Sequence, residues 1–382
     1  MSLKIFHTAD LHVGKEFTTF DDQPSVRDDL KERRYQVLDD MVKKANEQNC
    51  DLFVIAGDLF HEPKFKKSDH VEQLQPYLRA FEGKLTLILP GNHDHYSENN
   101  ENRWRWLEEI DGVKVLKERE PYDLSESLEE DVVVYPAPCN RKRSGKNRVE
   151  WIKEVEKDDE KYNIGIAHGH LEGCSFDSEG RYFPMTKDDL EECELDLWLL
   201  GHVHVSLPKG ETSFENHYYS GTPEQEGFKR LGEKSEKGKA WILELNDDEI
   251  SSERVDVGKY AFEHEEIKIE DIEEFEELKK FLEDDGNQDT LLKLKVEGKI
   301  KKDDFHEVQD YLNTLYHDTK GFKYIELNDE DFRPRIDHEL IKEDFSEGSF
   351  LYRLLDEIID EEDERSETAA ELAYDIIEEA RS

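Results

Sequence analysis

Five short motifs in the chain carry side chains that can bind divalent metal ions. In chain order they are Asp10-x-His12, Gly57-Asp58, Gly91-Asn92-His93-Asp94, His168-Gly169-His170 and Gly201-His202-x-His204. Carboxylate, amide and imidazole ligands without cysteine suit Mn²⁺, with Zn²⁺, Fe²⁺ or Mg²⁺ as alternatives, and they argue against structural zinc. Two such ions, roughly 3.5–4 Å apart, can clamp the attacking and leaving oxygens of a phosphodiester. The motifs therefore predict a two-metal site for phosphodiester cleavage.

The predicted ligands divide between two ions that share one carboxylate, and Asp58 is the expected bridge. The expected ligands of the first ion are Asp10, His12 and His204. The expected ligands of the second ion are Asn92, His168 and His202. Of the two histidines in the fourth motif only one should bind metal, and the position at a strand end favours His168. His170 is then a residue behind the ligands or on the rim of the site.

His93 is the candidate general acid in this set. It stands next to Asn92 in the third motif, and we expect it to protonate the leaving oxygen while Asp94 holds its ring. The alternative for His93 is a structural hydrogen bond behind the metal ligands.

Every motif directly follows a short apolar run, and these runs predict the strands that position the site. The runs are residues 3–6, 52–56, 85–89, 164–167 and 195–200. Polar groups at the carboxyl ends of strands are typical of ligand sites in open α/β sheets. Amphipathic helices are predicted at 28–48 and 68–81, and further strands at 113–116, 132–135, 217–220 and 240–245. This alternation predicts an α/β layered sandwich.

At these motifs the chain resembles the calcineurin-like metallophosphoesterases and, more narrowly, the SbcD-type DNA repair exonucleases, which partner an SMC-like ATPase. The narrower resemblance rests on His7-Thr-Ala-Asp-Leu-His12, Ala56-Gly-Asp-Leu-Phe-His61 and Tyr219-Ser-Gly-Thr-Pro223. Ser220 departs from the commoner form of the last segment, which has proline there. The superfamily motifs cover residues 1–225.

The resemblance implies two facing mixed sheets flanked by helices and Mn²⁺-dependent cleavage of DNA. It also implies that His61 lies beside the metals and helps to direct a DNA end; the alternative is a loop histidine on the rim. The expected partners are DNA, an SMC-like ATPase of the SbcC type and a second copy of the chain.

The pattern of elements divides the chain into three predicted regions. Residues 1–256 form the nuclease domain, 257–330 a small α/β cap that grips DNA in the related nucleases, and 331–382 a linker with a helical extension. The cap should contain strands at 266–269, 290–296 and 322–327 and helices at 272–282 and 305–315. The linker is expected at 329–337, where Pro334 acts as a breaker.

A helical pair is predicted at 345–359 and 368–380, with apolar residues on otherwise acidic helices. These residues are Phe350, Leu351, Leu354, Leu355, Ile358, Ile359, Leu372, Ile376 and Ile377. The stripes either pack on the body of the chain itself or form a docking site for the ATPase partner.

The net charge is unusual for a protein that acts on DNA. The chain has 96 Asp and Glu against 52 Lys and Arg, a formal net charge of −44. Because DNA is a polyanion, a DNA enzyme is expected to present basic surface. Three explanations remain open: a halophilic host whose salt screens the repulsion, acidic residues that lie away from the DNA path, or a substrate other than DNA. The first two together are favoured.

Basic residues are few, so their clusters are informative. The densest cluster contains Arg141, Lys142, Arg143, Lys146 and Arg148. This Gly/Ser/Asn loop is a candidate contact for the phosphate backbone, and the alternative is a solvated loop with salt bridges to nearby acids. Further candidates are Arg33-Arg34, Arg103-Trp-Arg-Trp106, Lys229-Arg230 and Lys293, Lys295 and Lys299.

Other composition features predict a cytoplasmic protein. The four cysteines are scattered along the chain and lack the close spacing of a metal-binding motif, so they are expected to be reduced thiols. There is no recognisable signal peptide, and no apolar run approaches the roughly 20 residues of a transmembrane helix. The leading functional hypothesis is a metal-dependent DNA exonuclease and endonuclease of double-strand break repair. The alternative is a phosphodiesterase or phosphatase that acts on a small phosphoester.

Overall fold

The structure is a computed structural model that describes residues 2–62, 67–98, 101–173, 180–209, 216–228, 236–246, 249–284, 288–361 and 364–381. The chain divides into two compact units. The first consists of Met1–Glu226 and Glu236–Ala261, and the second of Gly227–Ser235 and Phe262–Ser382.

A six-stranded mixed sheet in the first unit carries three of the five motifs. In spatial order its strands are β11 (Ile250–Asp256), β10 (Lys239–Asn246), β1 (Ser2–Thr8), β2 (Leu52–Ala56), β3 (Leu85–Leu89) and β4 (Val113–Val115). Strands β1 to β4 are parallel, whereas β10 is antiparallel to β1 and β11 to β10. The first three motifs therefore leave the same edge of the sheet, at the ends of β1, β2 and β3.

A five-stranded mixed sheet carries the other two motifs. In spatial order its strands are β5 (Tyr122–Asp123), β6 (Val132–Ala137), β7 (Tyr162–His168), β8 (Leu197–Gly201) and β9 (His217–Tyr219). Strands β6 to β9 are parallel, and β5 is antiparallel to β6. His168 ends β7 and Gly201 ends β8, so both motifs begin at carboxyl ends.

The core of the first unit lies in three apolar layers. Ile5 and Val54 of the first sheet pack with Ile166 and Leu199 of the second sheet in a shared cluster. Because successive side chains of a strand point to opposite faces, each sheet also has an outer face. The helices that flank the sheets are α1 (Pro24–Glu47), α2 (Val71–Arg79), α3 (Glu101–Glu108), α4 (Ser125–Leu128), α5 (Glu150–Lys153) and α6 (Lys187–Glu191). The predicted fold class, an α/β layered sandwich of two mixed sheets, is confirmed.

Helix α1 shows how the sequence builds the outer layer. It begins at Pro24, whose fixed φ suits the first helical position. Val37, Leu38 and Met41 recur at helical spacing and pack against Phe53 on the outer face of β2.

The second unit contains a three-stranded sheet. Its strands are β12 (Ala261–Lys268), β13 (Thr290–Ile300) and β14 (Tyr324–Pro334), and its helices are α7 (Ile272–Leu282) and α8 (Lys302–Thr314). These elements follow one another in the predicted β-α-β-α-β order. Asp271 caps α7 by accepting hydrogen bonds from the backbone N–H groups of Glu273 and Glu274.

The linker predicted at 329–337 is wrong over most of its length. Strand β14 continues to Pro334, which pairs in register with Ile300 of β13. Phe332 is buried and stacks on Phe305, with 5.2 Å between the ring centroids, and this packing extends the strand. Pro334 ends an edge strand, where its missing N–H costs little.

Within the described residues, three helices, and not the predicted two, follow the three-stranded sheet: α9 (His338–Asp344), α10 (Phe350–Ile359) and α11 (Glu364–Arg381). Four of the nine residues of the predicted apolar stripe pack within this unit in a small cluster with Ile341 and Phe345, namely Leu351, Leu355, Ile359 and Ile377. Three members of the stripe remain exposed, namely Phe350, Leu372 and Ile376. Among the described helices, none combines the length and the apolar character that crossing a lipid bilayer requires.

Candidate metal centre

Several predicted ligands that follow the strands have a left-handed backbone conformation. Asp10, His12, Asp58 and His202 all have positive φ, although none of them is glycine. Such conformations cost of order 1 kcal/mol or more each and collect at functional sites. Two of these turns meet directly, because the backbone N–H of His202 donates to Oδ2 of Asp10 at 2.9 Å.

Two motif glycines permit the close approach of these turns. A Cβ on Gly57 would lie 2.0 Å from Nδ1 of His168, and a Cβ on Gly91 would lie 2.2 Å from Oδ1 of Asp58. Any larger residue at either position would displace a predicted ligand.

Asp58 lies between the two halves of the predicted ligand set. Its Oδ2 is 3.3 Å from Nε2 of His168 and 3.7 Å from Nε2 of His12. Its Oδ1 accepts the backbone N–H of His93 at 2.7 Å, which fixes the carboxylate. One oxygen therefore faces a ligand of each expected ion, as the prediction of a bridge requires.

The first half of the set consists of Asp10, His12 and His204. The Oδ1 of Asp10 is 3.8 Å from Nε2 of His12 and 3.6 Å from Nε2 of His204. This oxygen and the Nε2 of His12 are buried and have no hydrogen-bond partner in the part of the chain that the structure describes. Leaving such atoms unsatisfied costs about 1–3 kcal/mol each, and a shared cation would satisfy both.

The second half of the set converges on the side chain of Asn92. Its Oδ1 is 3.0 Å from Nε2 of His168 and 3.0 Å from Nδ1 of His202. Nδ1 of His168 faces the backbone carbonyl of Ala56 at 2.9 Å. If Nδ1 carries the proton and donates it there, Nε2 presents a lone pair to Asn92 and Asp58. Converging lone pairs of this kind suit a divalent ion.

The pKa values of the buried groups reflect the same crowding. Burial raises the pKa of Asp10 to about 6. Burial would also raise the pKa of Asp58, but His168 and His12 outweigh it and hold that pKa below its usual range. For His168 burial acts to lower the pKa, and Asp58 overcomes it and raises the pKa to about 9. A metal ion bound among these groups would displace such protons. The His and Asp clusters therefore fit a site for two divalent ions.

Asp94 does not hold the ring of His93, so this part of the prediction is wrong. Its two oxygens accept the backbone N–H groups of Phe60 at 3.0 Å and Gly91 at 2.7 Å. Asp94 is thus a buried clamp between the loops that follow β2 and β3. The ring of His93 instead places Nδ1 2.9 Å from the backbone oxygen of His61.

His61 contacts two other histidines of the site. Its Nδ1 is 3.3 Å from Nδ1 of His12, and its ring stacks on that of His93 with 5.0 Å between centroids. If Nδ1 of His12 donates to His61, the Nε2 of His12 is free to bind an ion. His61 therefore lies beside the predicted ligands, as the sequence resemblance implied.

His170 is buried, and its backbone pairs with a neighbouring segment. Its N–H donates to the oxygen of Tyr182, and its own oxygen accepts the N–H of Met185. Neither His170 nor His202 belongs to the groups of described His, Cys, Asp and Glu side chains that could hold an ion, and the side chain of His202 joins the predicted set through its contact with Asn92.

The basic loop at 141–148 is tied to the third motif. Cys139, just before it, donates its N–H to the oxygen of Pro90 and accepts the N–H of Tyr96. The guanidinium of Arg143 lies 5.7 Å from the ring centroid of Tyr182, and that ring is 5.1 Å from the ring of His202. The loop therefore lies next to the predicted ligands of the second ion.

Four cations of this loop are exposed: Arg141, Lys142, Arg143 and Lys146. None of them forms an ion pair with an acidic residue within the described ranges, so salt bridges do not occupy the loop. Arg148 differs, because it is half-buried and its Nε donates to the oxygen of Pro138 at 3.0 Å.

The other basic candidates are less available to a phosphate. Arg33 and Arg34 are buried, and Arg33 donates to Glu224 at 2.7 Å. They are therefore structural residues, which corrects the prediction. Lys293, Lys295 and Lys299 form ion pairs with Glu326, Glu266 and Glu371, respectively. Arg103 lies on helix α3, in which the neighbouring Trp104 is buried. Lys229 and Arg230 lie outside the described residues.

Glu226 belongs to the site although no motif contains it. Its Oε2 accepts a hydrogen bond from Nζ of Lys15 at 2.7 Å and lies 3.6 Å from Nδ1 of His204. Burial would raise the pKa of Glu226, but His12, Arg34 and other nearby cations outweigh it and keep that pKa below its usual range. The sequence carries no local signal for this role, because folding alone brings the segment after β9 to the site.

Comparisons with known proteins show which family and which relatives this chain is similar to. The model of the Calcineurin-like phosphoesterase family matches residues 3–206, more than half of the chain. The uncharacterized metallophosphoesterase YhaO of Bacillus subtilis (strain 168) is 26% identical over 260 residues, which cover 66% of this chain and 59% of YhaO. The chain thus spans less than two thirds of the length of that curated relative.

Two solved structures are similar over part of the chain. The protein TT1561 of Thermus thermophilus has a TM-score of 0.42 at 12% identity and covers 67% of this chain and 100% of its own. Purple acid phosphatase PPD1 from yellow lupin (Lupinus luteus) seeds has a TM-score of 0.42 at 14% identity and covers 67% of this chain and 52% of its own.

Proposed function

The chain belongs to the calcineurin-like phosphoesterase family, and from this premise we propose that it is a two-metal nuclease that hydrolyses phosphodiester bonds of DNA. The observation that carries the proposal is the position of Asp58, whose Oδ2 lies 3.3 Å from Nε2 of His168 and 3.7 Å from Nε2 of His12. A single anionic oxygen between two imidazole groups suits a ligand that two ions share.

In this proposal each side chain of the site has a distinct task. Asp10, His12 and His204 would hold one ion, and Asn92, His168 and His202 the other, with Asp58 shared. When bound, the ions would supply positive charge to the phosphate and to the attacking water. His93 donates a proton from Nε2 to the leaving oxygen, while its Nδ1–H is held by the backbone oxygen of His61 at 2.9 Å.

Support for DNA as the substrate comes from the basic loop. Arg141, Lys142 and Arg143 are exposed next to the third motif, where they would meet the phosphates that neighbour the cleaved bond. A small phosphoester with a single phosphate group has no such neighbouring phosphates. His61 also supports DNA as the substrate, since its position beside His12 and His93 would let it contact a DNA end.

The narrower parts of the proposal are Mn²⁺ as the native metal and an SbcD-type role in double-strand break repair with an SMC-like ATPase. They rest on the sequence resemblance and on three exposed apolar side chains. Phe350 is 73%, Leu372 59% and Ile376 64% exposed. Aspartate mutants of these three residues should reduce co-purification with the ATPase while the Mn²⁺ content stays at the wild-type level. Unchanged co-purification would remove this docking surface from the proposal.

One assay separates DNA from a small phosphoester. The purified chain is tested with Mn²⁺ or Mg²⁺ on labelled DNA hairpins and, side by side, on a chromogenic phosphodiester. We expect Mn²⁺-dependent cleavage of DNA that is lost in Asp58→Ala. Turnover of the small diester with no cleavage of DNA would support the phosphodiesterase alternative.

A further inference from the structure

We propose that Glu226 is a positioning residue for one of the two metal ions, because its carboxylate holds the ring of His204 from behind. This role rests on the two-metal site of the proposed function, but it is independent of which phosphate ester is cleaved. Neither the five motifs nor the segment Tyr219-Ser-Gly-Thr-Pro223 contains Glu226.

The ring of His204 lies between two carboxylates. Its Nε2 is 3.6 Å from Oδ1 of Asp10, and its Nδ1 is 3.6 Å from Oε2 of Glu226. A histidine that binds a metal through one nitrogen commonly directs the other N–H to a carboxylate, which fixes the ring and increases its basicity. Glu226 is the carboxylate on that side of the ring, at ion-pair and not hydrogen-bond distance, and Asp10 lies on the opposite side, where the ion would bind.

His204 needs such a restraint more than the other ligands of the same ion do. Its side chain is 41% exposed, whereas those of Asp10 and His12 are at most 2% exposed. Close packing holds the two buried side chains in place. The half-open ring of His204 would otherwise exchange between rotamers, and each ion that binds would have to order it.

The carboxylate of Glu226 is itself held by two cations of the first unit. Nζ of Lys15 donates to it at 2.7 Å, and Nη2 of Arg34 lies 3.3 Å from Oε1. Arg34 in turn donates to the backbone oxygens of Leu11 at 3.2 Å, Glu224 at 3.0 Å and Gln225 at 3.0 Å. Helix α1 thereby fixes both the D-x-H turn and the segment that carries Glu226.

The test compares Mn²⁺ binding by Glu226→Gln with that of the wild type, by calorimetry and by electron paramagnetic resonance on the full chain stripped of metal. We expect the wild type to bind two ions. Glu226→Gln should bind one of them roughly 10–100-fold more weakly and the other with unchanged affinity. The matched control is Glu16→Gln, which removes the same charge from an exposed residue that pairs with Lys31. It should bind both ions as the wild type does.

A double-mutant cycle with His204→Ala separates positioning from general stability. If Glu226 acts through His204, adding Glu226→Gln to His204→Ala should not weaken Mn²⁺ binding further. Wild-type affinity in Glu226→Gln, or an equal loss in both backgrounds, would overturn the proposal. Should Glu226→Gln fail to fold by circular dichroism, Glu226→Asp, which keeps the charge beside Arg34, takes its place in the same cycle. A wild type that binds fewer than two ions would instead refute the two-metal site itself.

Discussion

His93 is placed to serve the chemical step without binding metal. Its Nδ1 is directed at the backbone oxygen of His61, and its backbone N–H holds Asp58. His93→Ala should therefore keep the wild-type Mn²⁺ content and lower kcat by roughly 10²–10⁴-fold, the usual effect of a positioned acid. Metal analysis and steady-state kinetics check this, with the exposed His338→Ala as the matched control. Loss of metal in His93→Ala would make His93 a ligand.

His61 is expected to matter most on DNA ends. His61→Ser should lower cleavage at duplex ends more than cleavage of flexible single strands, measured on matched labelled substrates. A second variant, His61→Asn, tests the contact with His12, whose Nδ1 lies 3.3 Å from Nδ1 of His61. The amide oxygen of the asparagine can still accept the proton on Nδ1 of His12. The activity of His61→Asn therefore shows how much of the loss of cleavage in His61→Ser comes from the lost contact with His12. Equal losses on both substrates would favour a plain structural role.

At the residue scale, the sequence predicts the metal ligands, but it does not predict the side chains that hold those ligands in place. Asp10, Asp58 and His168 stand out because residue type, spacing and strand ends coincide. One partner of Asp94 is the backbone N–H of Gly91, three positions earlier in the same loop, and the other is the backbone N–H of Phe60 in a different loop, which no pattern along the chain predicts. The role of Glu226 cannot be predicted from the sequence either, since its partners Lys15 and Arg34 are about 190 to 210 positions away along the chain.

At the scale of elements, helix α1 fastens the segment after β9 to the site through Arg34. Replacing Arg34 by methionine leaves three backbone oxygens without their donor and Glu226 with Lys15 but without its buried cation. The free energy of unfolding should fall by about 3–5 kcal/mol, the usual cost of breaking a buried charged pair. Urea titration measures it.

The matched control for this helix is Arg27→Met, which removes an arginine of the same helix whose side chain pairs with the exposed Asp21. Its unfolding midpoint should stay close to that of the wild type, because exposed ion pairs contribute little. Equal effects of the two substitutions would mean that Arg34 does not fasten the segment.

Strands that precede motifs were predictable because they are fully buried and apolar, as in β2 and β8. Among the strands that were missed or predicted too short, β11 and β14 show the opposite case. Strand β11 reads Ile-Ser-Ser-Glu-Arg-Val-Asp and is an exposed edge. The last part of β14 carries Asp, Glu and Pro, and only pairing with β13 and the burial of Phe332 make it a strand. Tertiary context outweighs local propensity in both.

At the scale of the whole molecule, the net charge of −44 should give DNA binding an unusual salt response. Salt screens the long-range repulsion between the chain and DNA first, whereas close contacts between cations and phosphates are screened less. Nuclease activity should therefore hold or rise from low salt to about 1 M KCl. A steep, monotonic fall in DNA binding from low salt upward would contradict the halophile interpretation.

The same measurement can include a variant in which Arg141, Lys142 and Arg143 are changed to glutamine. It should bind DNA of any sequence more weakly, because contacts to the phosphate backbone carry no sequence information. Lys293, Lys295 and Lys299, which are already paired with glutamates, provide the matched triple control. A similar loss of binding in both triple variants would show that total charge, and not the loop, sets the affinity.

The most direct test of the central claim is a count of the metal ions around Asp58. Anomalous scattering from crystals soaked in Mn²⁺ should reveal two ions on either side of Oδ2 of Asp58, roughly 3.5–4 Å apart. One should be bound by Asp10, His12 and His204, and the other by Asn92, His168 and His202. A single ion, or none, in crystals of the wild-type chain would contradict the two-metal account.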